Sequence, residues 1–182
     1  LIVLTLGFVA ILTGQTLSSQ YLEEARGFSR GAIGVFGSLS ALGTAVFSLL
    51  LGQLTSWRAF FSSLLLVLVS FALLMITGST VVVALATFLL GAHYAARPLA
   101  ASVIGERVPA HQHGIAYALV DAMAGLATLI GTNAAGRLYT ANPEWPFAAG
   151  MVGVALLTAL GVALRLRGTT RALRLRILRV GR

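Results

Sequence analysis

From Leu1 to Leu164 the chain is divided by short polar segments into six apolar stretches, covering about residues 1–20, 31–54, 59–77, 80–104, 115–138 and 147–164. A helix needs about 20 mostly apolar residues to cross the hydrocarbon of a bilayer. These stretches read as helices rather than strands, so the expected fold is an all-α membrane protein with six transmembrane helices. The separating segments are brief. Tyr21 to Gly27 reads as a polar loop, with Ser29 able to cap the next helix. Thr55-Ser56-Trp57-Arg58 and Gly78-Ser79 make tight turns between neighbouring antiparallel helices, and Asn142-Pro143-Glu144-Trp145-Pro146 precedes the last. Residues 1–168 thus form the spanning domain and residues 169–182 a basic tail.

Only 10% of the 182 residues are charged, against roughly 25% in soluble domains, which excludes a soluble protein. The formal charge is +8, and all 13 basic residues are Arg. In a soluble chain that balance would suggest nucleic acid, but no recognition motif accompanies it, so the expected partner is the lipid bilayer. There is no Cys, which removes disulfides, thiolate metal sites and thiol catalysis. No basic segment precedes Glu23 to mark a signal peptide. Leu1 stands where an initiator Met is expected, so we expect the sequence to begin within a longer protein.

Six spans place both termini on one side. That side carries Arg58, Arg107 and seven arginines from Arg165 to Arg182, against Arg26, Arg30 and Arg137 opposite, so the basic excess predicts cytoplasmic termini. The expected location is a bacterial inner membrane. In the tail, Leu173, Ile177 and Val180 recur at helical spacing among arginines, a pattern that reads either as an amphipathic helix on the anionic inner leaflet or as a solvated tail. Gly27, Gly31, Gly34 and Ser38, and then Ala92, Ala96 and Ala100, are spaced for close helix packing, in a sliding or a static interface.

Ionisable groups near the bilayer centre are costly and call for a partner or a function. Arg97 and Asp121 each lie twelve residues from Pro109, which puts both about 13 Å into adjacent helices. They can form an ion pair that exchanges with substrate or a proton, or a fixed structural pair; Arg97 can also snorkel towards the headgroups. His93 shares a helical face with Arg97 and reads as a proton-relay candidate or a hydrogen-bonded core residue. Pro98 predicts a kink beside Arg97. Tyr117, Asp121, Thr128 and Thr132 fall in one stripe, facing either a cavity or a neighbouring helix; Gln15 and Asn133 are further cavity candidates.

Several motifs carry a resemblance. Gly105-Glu106-Arg107-Val108-Pro109 is followed by His113-Gly114, then Gly131-Thr132-Asn133-Ala134-Ala135-Gly136-Arg137-Leu138-Tyr139, and Gly52-Gln53-Leu54 opens a shortened loop. Together they resemble the carboxyl-terminal half of a major facilitator superfamily transporter. His113 stands at the usual Arg position, Thr132 at the usual Pro, and the loop after Leu54 keeps only Arg58 of its charges. The resemblance implies a six-helix half of a secondary active transporter that moves a small solute by alternating access, coupled to protons or another ion. It also implies a partner amino-terminal half, or a second copy, and a cytoplasmic gate in which Glu106 pairs with Arg58 beside Arg107. No enzyme motif, cofactor site or metal cluster appears, the loop histidines His111 and His113 lacking a carboxylate set. A six-span scaffold without flux is the competing expectation.

Overall fold

The computed structural model describes residues 2–76, 78–105 and 108–180, with side chains described except at 2–4, 56, 96, 97, 99, 100, 102, 103, 162 and 164–180. Every regular element among them is helical: α1 (Ile2–Gln15), α2 (Ser18–Glu24), α3 (Arg30–Gly52), α4 (Ser56–Ile76), α5 (Thr80–Leu90), α6 (Ala92–Gly105), α7 (His113–Ala141) and α8 (Trp145–Val180), with a short 3₁₀ turn at Ala110–Gln112. Three helical segments are long and apolar enough to cross a membrane, Arg30–Gly52, Trp57–Ile76 and Ala110–Ala141, and Thr80–Ala95 and Trp145–Gly161 are shorter apolar ones.

Two of the six stretches are broken rather than continuous. The first divides after Gln15 and resumes at Ser18, so the expected loop at Tyr21 to Gly27 begins in fact with a helix, and Tyr21 and Leu22 are buried. The Thr16 hydroxyl donates to the Leu12 carbonyl at 2.6 Å just where regular helix ends, an alternative to the backbone ladder that weakens helices. The fourth stretch breaks at Gly91, whose N–H reaches Phe88 O at 3.1 Å while Tyr94 N–H returns to Gly91 O at 3.2 Å. The kink expected at Pro98 is not where this stretch divides, since α6 continues as helix through Pro98. Elsewhere the local reading holds: Ser29 caps α3, its side chain accepting from Ala32 N–H at 3.3 Å. The final helix runs 36 residues without a break, about 54 Å at 1.5 Å per residue, so the basic tail continues α8.

The bundle is assembled around α1 and α4. The first packs against α7 and α8, the second against α5, α6 and α8, while α3 lies along α5 and α6. Aromatic and branched side chains fill the space between them, among them Phe8, Ile11, Phe60, Leu64, Val67, Phe71, Phe147 and Val154. Where helices come closest, glycine is required. A Cβ on Gly43 of α3 would overlap the Phe88 carbonyl oxygen, and one on Gly91 would stand 2.5 Å from Thr44 N. Thr44 Oγ1 also donates to Gly91 O at 3.1 Å, which ties the two backbones together. Gly150 and Gly153 of α8 serve α1 in the same way, a Cβ on either standing 2.9 Å from Ala10 O or 2.7 Å from Ala10 Cβ.

These close crossings are not at the glycines that the sequence pattern singled out. Gly31 would meet only the Ser29 hydroxyl oxygen, at 3.9 Å, and Gly34 nothing within 4 Å. That row faces away from the described helices because α3 turns the Gly43 side towards α5. Gly27 acts differently: its φ of +70° makes the turn into α3. The outer faces are strongly apolar, with Leu49 73%, Ile76 77%, Val81 78% and Ile115 76% exposed. Such continuous apolar exposure fits lipid rather than water.

If the α3–α5 crossing sets the packing distance, Gly43→Ala should destabilise the bundle by about 1–3 kcal/mol through overpacking. Gly34→Ala should lose nothing. Unfolding of the two variants in detergent compares them directly.

Candidate functional site

The long helix α7 presents three different faces. Val120, Ala124, Ala127, Gly131 and Ala135 form a buried strip of small residues, and α1 comes so close that a Cβ on Gly131 would lie 2.9 Å from Leu12 Cβ. A second face carries Ile115, Leu119, Leu126 and Leu129, all exposed. Between them runs the stripe Tyr117, Asp121, Thr128 and Thr132, also exposed. The stripe is open along much of its length, and at its Tyr117 end it meets α6, where a Cβ on Gly105 would stand 2.7 Å from Tyr117 Oη. Thr128 satisfies its own hydroxyl by donating to Ala124 O at 2.9 Å. Polar groups in hydrocarbon are unfavourable, so such a stripe suits water or a partner surface better than lipid. Asn133 shares an open groove with Thr128 and Thr132 of the stripe and with Leu129 and Arg137.

A separate cleft of about 440 Å³ opens where the two broken stretches face α3. Its polar lining comes from Gln15, Ser18 and Ser19 at the first break, Ser40 and Thr44 on α3, and Thr87 and Tyr94 around the second break; Leu22, Ile33, Phe36 and Leu90 supply apolar wall. Gln15 Nε2 donates to Tyr94 Oη at 3.2 Å, linking the two breaks. Gln15 was foreseen as a cavity residue, but the hydroxyl cluster was not. The signal was present in the polar run Gln15-Thr16-Leu17-Ser18-Ser19-Gln20, which closes an otherwise apolar stretch. His93 sits just behind this wall, its ring 3.8 Å from that of Tyr94, and its buried Nδ1 has no hydrogen-bond partner among the described residues.

The remaining candidates divide between described and undescribed positions. Arg97 belongs to α6 and Asp121 to α7, which touch each other; the Arg97 side chain lies outside the described ones, as do Glu106 and Arg107 entirely. Arg58 is exposed in the first turn of α4. At the α6–α7 connection, a His113 ring nitrogen pairs with Val108 O at 2.9 Å, and a Cβ on Gly105 would stand 2.7 Å from Tyr117 Oη. His111 pairs with the neighbouring Gln112 side chain at 3.1 Å. Among the described residues no group of three metal-ligating side chains occurs.

At the opposite end, a polar cluster absent from the sequence reading closes the bundle. Arg26 donates through Nε to Tyr21 Oη at 2.8 Å and through a terminal nitrogen to Met75 O at 2.8 Å and Leu74 O at 3.2 Å. It thereby satisfies the last carbonyls of α4, where a cation also complements the helix dipole. Glu144 lies 3.9 Å away, and Tyr139 donates to Glu24 at 3.0 Å. Tyr21 is buried with its ring 4.8 Å from Phe147. This cluster holds α2, α4 and the α7–α8 turn in register beside the cleft.

With this arrangement in view, the comparisons with known proteins are sparse. The family model described as Major Facilitator Superfamily matches residues 1–179. No curated protein matches the chain, and no solved structure does.

Removing the Arg26 anchor by Arg26→Ala should cost about 1.5–3 kcal/mol, the range for hydrogen bonds to a charged group. Arg30→Ala, which loses an exposed pair to Glu23, should leave the unfolding midpoint unchanged. Equal effects of the two substitutions would show that the cluster contributes nothing special.

Proposed function

The chain belongs to the major facilitator superfamily, a transporter-type superfamily, and we propose that it forms one six-span half, the carboxyl-terminal one, of a secondary active transporter. In this reading it moves a small solute by alternating access, with both termini cytoplasmic in a bacterial inner membrane. The spans are α1–α2, α3, α4, α5–α6, α7 and the apolar first part of α8. The observation that carries the reading is the exposed polar stripe of α7, set between a packed face and an apolar one. An exposed stripe of hydroxyls beside an ionisable group is what a transport pathway between two halves needs. The motifs from Gly105 to Tyr139, with the arginines after Leu164, support the carboxyl-terminal assignment.

The partner on the stripe side is a second six-helix half or a second copy, and the solute pathway runs between them. Helix discontinuities at Thr16–Leu17 and Gly91 bring polar side chains to a cavity, as broken helices do at transporter binding sites. Arg97 and Asp121 exchange partners during the cycle, with His93 as a candidate proton carrier whose ring nitrogen awaits a partner. Tyr117, Thr128 and Thr132 line the pathway on α7, and Asn133 its rim. Glu106, Arg58 and Arg107 form the cytoplasmic gate.

Proteoliposomes carrying the protein together with its partner half, or assembled as two copies of itself, given a proton gradient and a chemically diverse panel of small solutes, test this reading. Saturable accumulation of at least one solute is expected, and Asp121→Asn should abolish it while leaving the unfolding midpoint in place. Absence of flux for the whole panel would instead favour a scaffold. Unchanged accumulation by the variant would remove Asp121 from coupling.

A further inference from the structure

We propose that the cleft between α1–α2, α3 and α5–α6 takes an uncharged solute dense in hydroxyl or amide groups, of the size of a sugar ring or a polyol. This deepens the transport reading and rests on it. Every described side chain lining the cleft is uncharged. A bare carboxylate, phosphate or ammonium moved into such a wall would lose its hydration without gaining a counter-charge, at a cost of several kcal/mol. Asp121 stands on α7, which contributes nothing to this lining, and the Arg97 side chain lies outside the described ones.

The hydrogen-bonding capacity of the wall is divided in a way that selects partners able both to donate and to accept. Thr44 and Thr87 have committed their protons to helix carbonyls, Thr44 sharing its proton between Ser40 O at 2.9 Å and Gly91 O at 3.1 Å and Thr87 between Val83 O and Ala84 O, both at 3.0 Å, so towards the cleft they offer lone pairs. Gln15 has used one amide proton on Tyr94 Oη, which leaves its carbonyl oxygen as an acceptor and the Tyr94 proton as a donor. Ser18, Ser19 and Ser40 add hydroxyls of either sense. A hydroxyl or primary amide on the solute meets both kinds of group, while an ether or a quaternary ammonium meets at most one. Leu22, Ile33 and Phe36 give the same cleft an apolar wall suited to the C–H face of a ring. Its volume of about 440 Å³ lies within the range of small-molecule sites. Sites built to bond solute hydroxyls reject analogues that lack them far more strongly than apolar pockets reject a missing methylene.

The lack of any native cysteine makes one experiment decisive. Ser40→Cys and, separately, Ser19→Cys provide a single thiol in the cleft, and each variant is placed in lipid nanodiscs and treated with a membrane-impermeant methanethiosulfonate reagent. Neutral probes (glucose, myo-inositol and mannitol) are compared with lactate, phosphate and tetraethylammonium. We expect both thiols to react from water and at least one neutral probe to slow the reaction saturably, by about tenfold when present at roughly ten times its dissociation constant. The charged probes should leave the rate unchanged. Protection by a charged probe, or reaction that no neutral probe slows, overturns the proposed chemistry while leaving the cleft as a water-accessible site. If neither thiol reacts in a folded variant, the cleft is closed to water, and the transport reading of this cleft fails together with the proposal.

Discussion

Hydrocarbon offers no hydrogen bonds, so a chain immersed in it must satisfy its polar groups from within. Much of this structure follows from that requirement. It accounts for the all-helical backbone, and it also governs the hydroxyls. Thr13 donates to Val9 O, Ser38 to Gly34 O, Thr128 to Ala124 O and Thr158 to Val154 O, each one turn back on its own helix. Where a hydroxyl reaches a neighbour instead, as Ser70 does to Ala86 O at 2.7 Å, it joins two helices from a fully buried position. Charged side chains cluster where α2, α4 and the α7–α8 turn meet, and there Arg26 closes the open carbonyls of α4.

Lipid also removes the usual hydrophobic drive between helices, so close packing has to substitute for it. Glycine at Gly43, Gly91, Gly131 and Gly150 lets one helix backbone rest against another or against a side chain stem. At Gly91 the same residue that admits α3 also interrupts the α5–α6 stretch, so the tightest crossing and the second helix break share a cause. The cleft lies alongside this point. Its polar wall collects hydroxyls from both interruptions, and the cluster around Arg26 steadies α2, which forms one side of it.

Much of this was legible in the sequence. The apolar stretches, the cap at Ser29 and the α7 stripe follow from length and spacing, which report on a helix regardless of its neighbours. The family resemblance rested on short motifs between Gly105 and Tyr139, and the family match extends from residue 1 to 179. What sequence reasoning missed depends on contacts between distant segments. Small-residue spacing pointed to Ala92, which is fully buried, and to Gly31 and Gly34, yet the α3 crossing uses Gly43, because periodicity identifies a face without saying what lies opposite; the side chains of Ala96 and Ala100 lie outside the described ones. Pro98 lies within continuous helix, and the discontinuity of this stretch is at Gly91, which the sequence pattern did not single out. Arg26, Tyr21 and Glu144 looked like unrelated loop residues, being 123 positions apart at the extremes, and only folding brings them together.

The central claim is that α7 separates a lipid-facing side from a water- or partner-facing side. Spin labels placed one at a time along α7 in nanodiscs test it most directly, by comparing collision with oxygen, which concentrates in lipid, and with a water-soluble nickel complex. The account predicts oxygen-dominated signals at Ile115, Leu119, Leu126 and Leu129, and lower oxygen with higher nickel accessibility at Tyr117, Thr128 and Thr132, the two series oscillating out of phase with helical period. Oxygen-dominated signals at both sets, with no phase difference, would place the polar stripe in lipid and contradict the account.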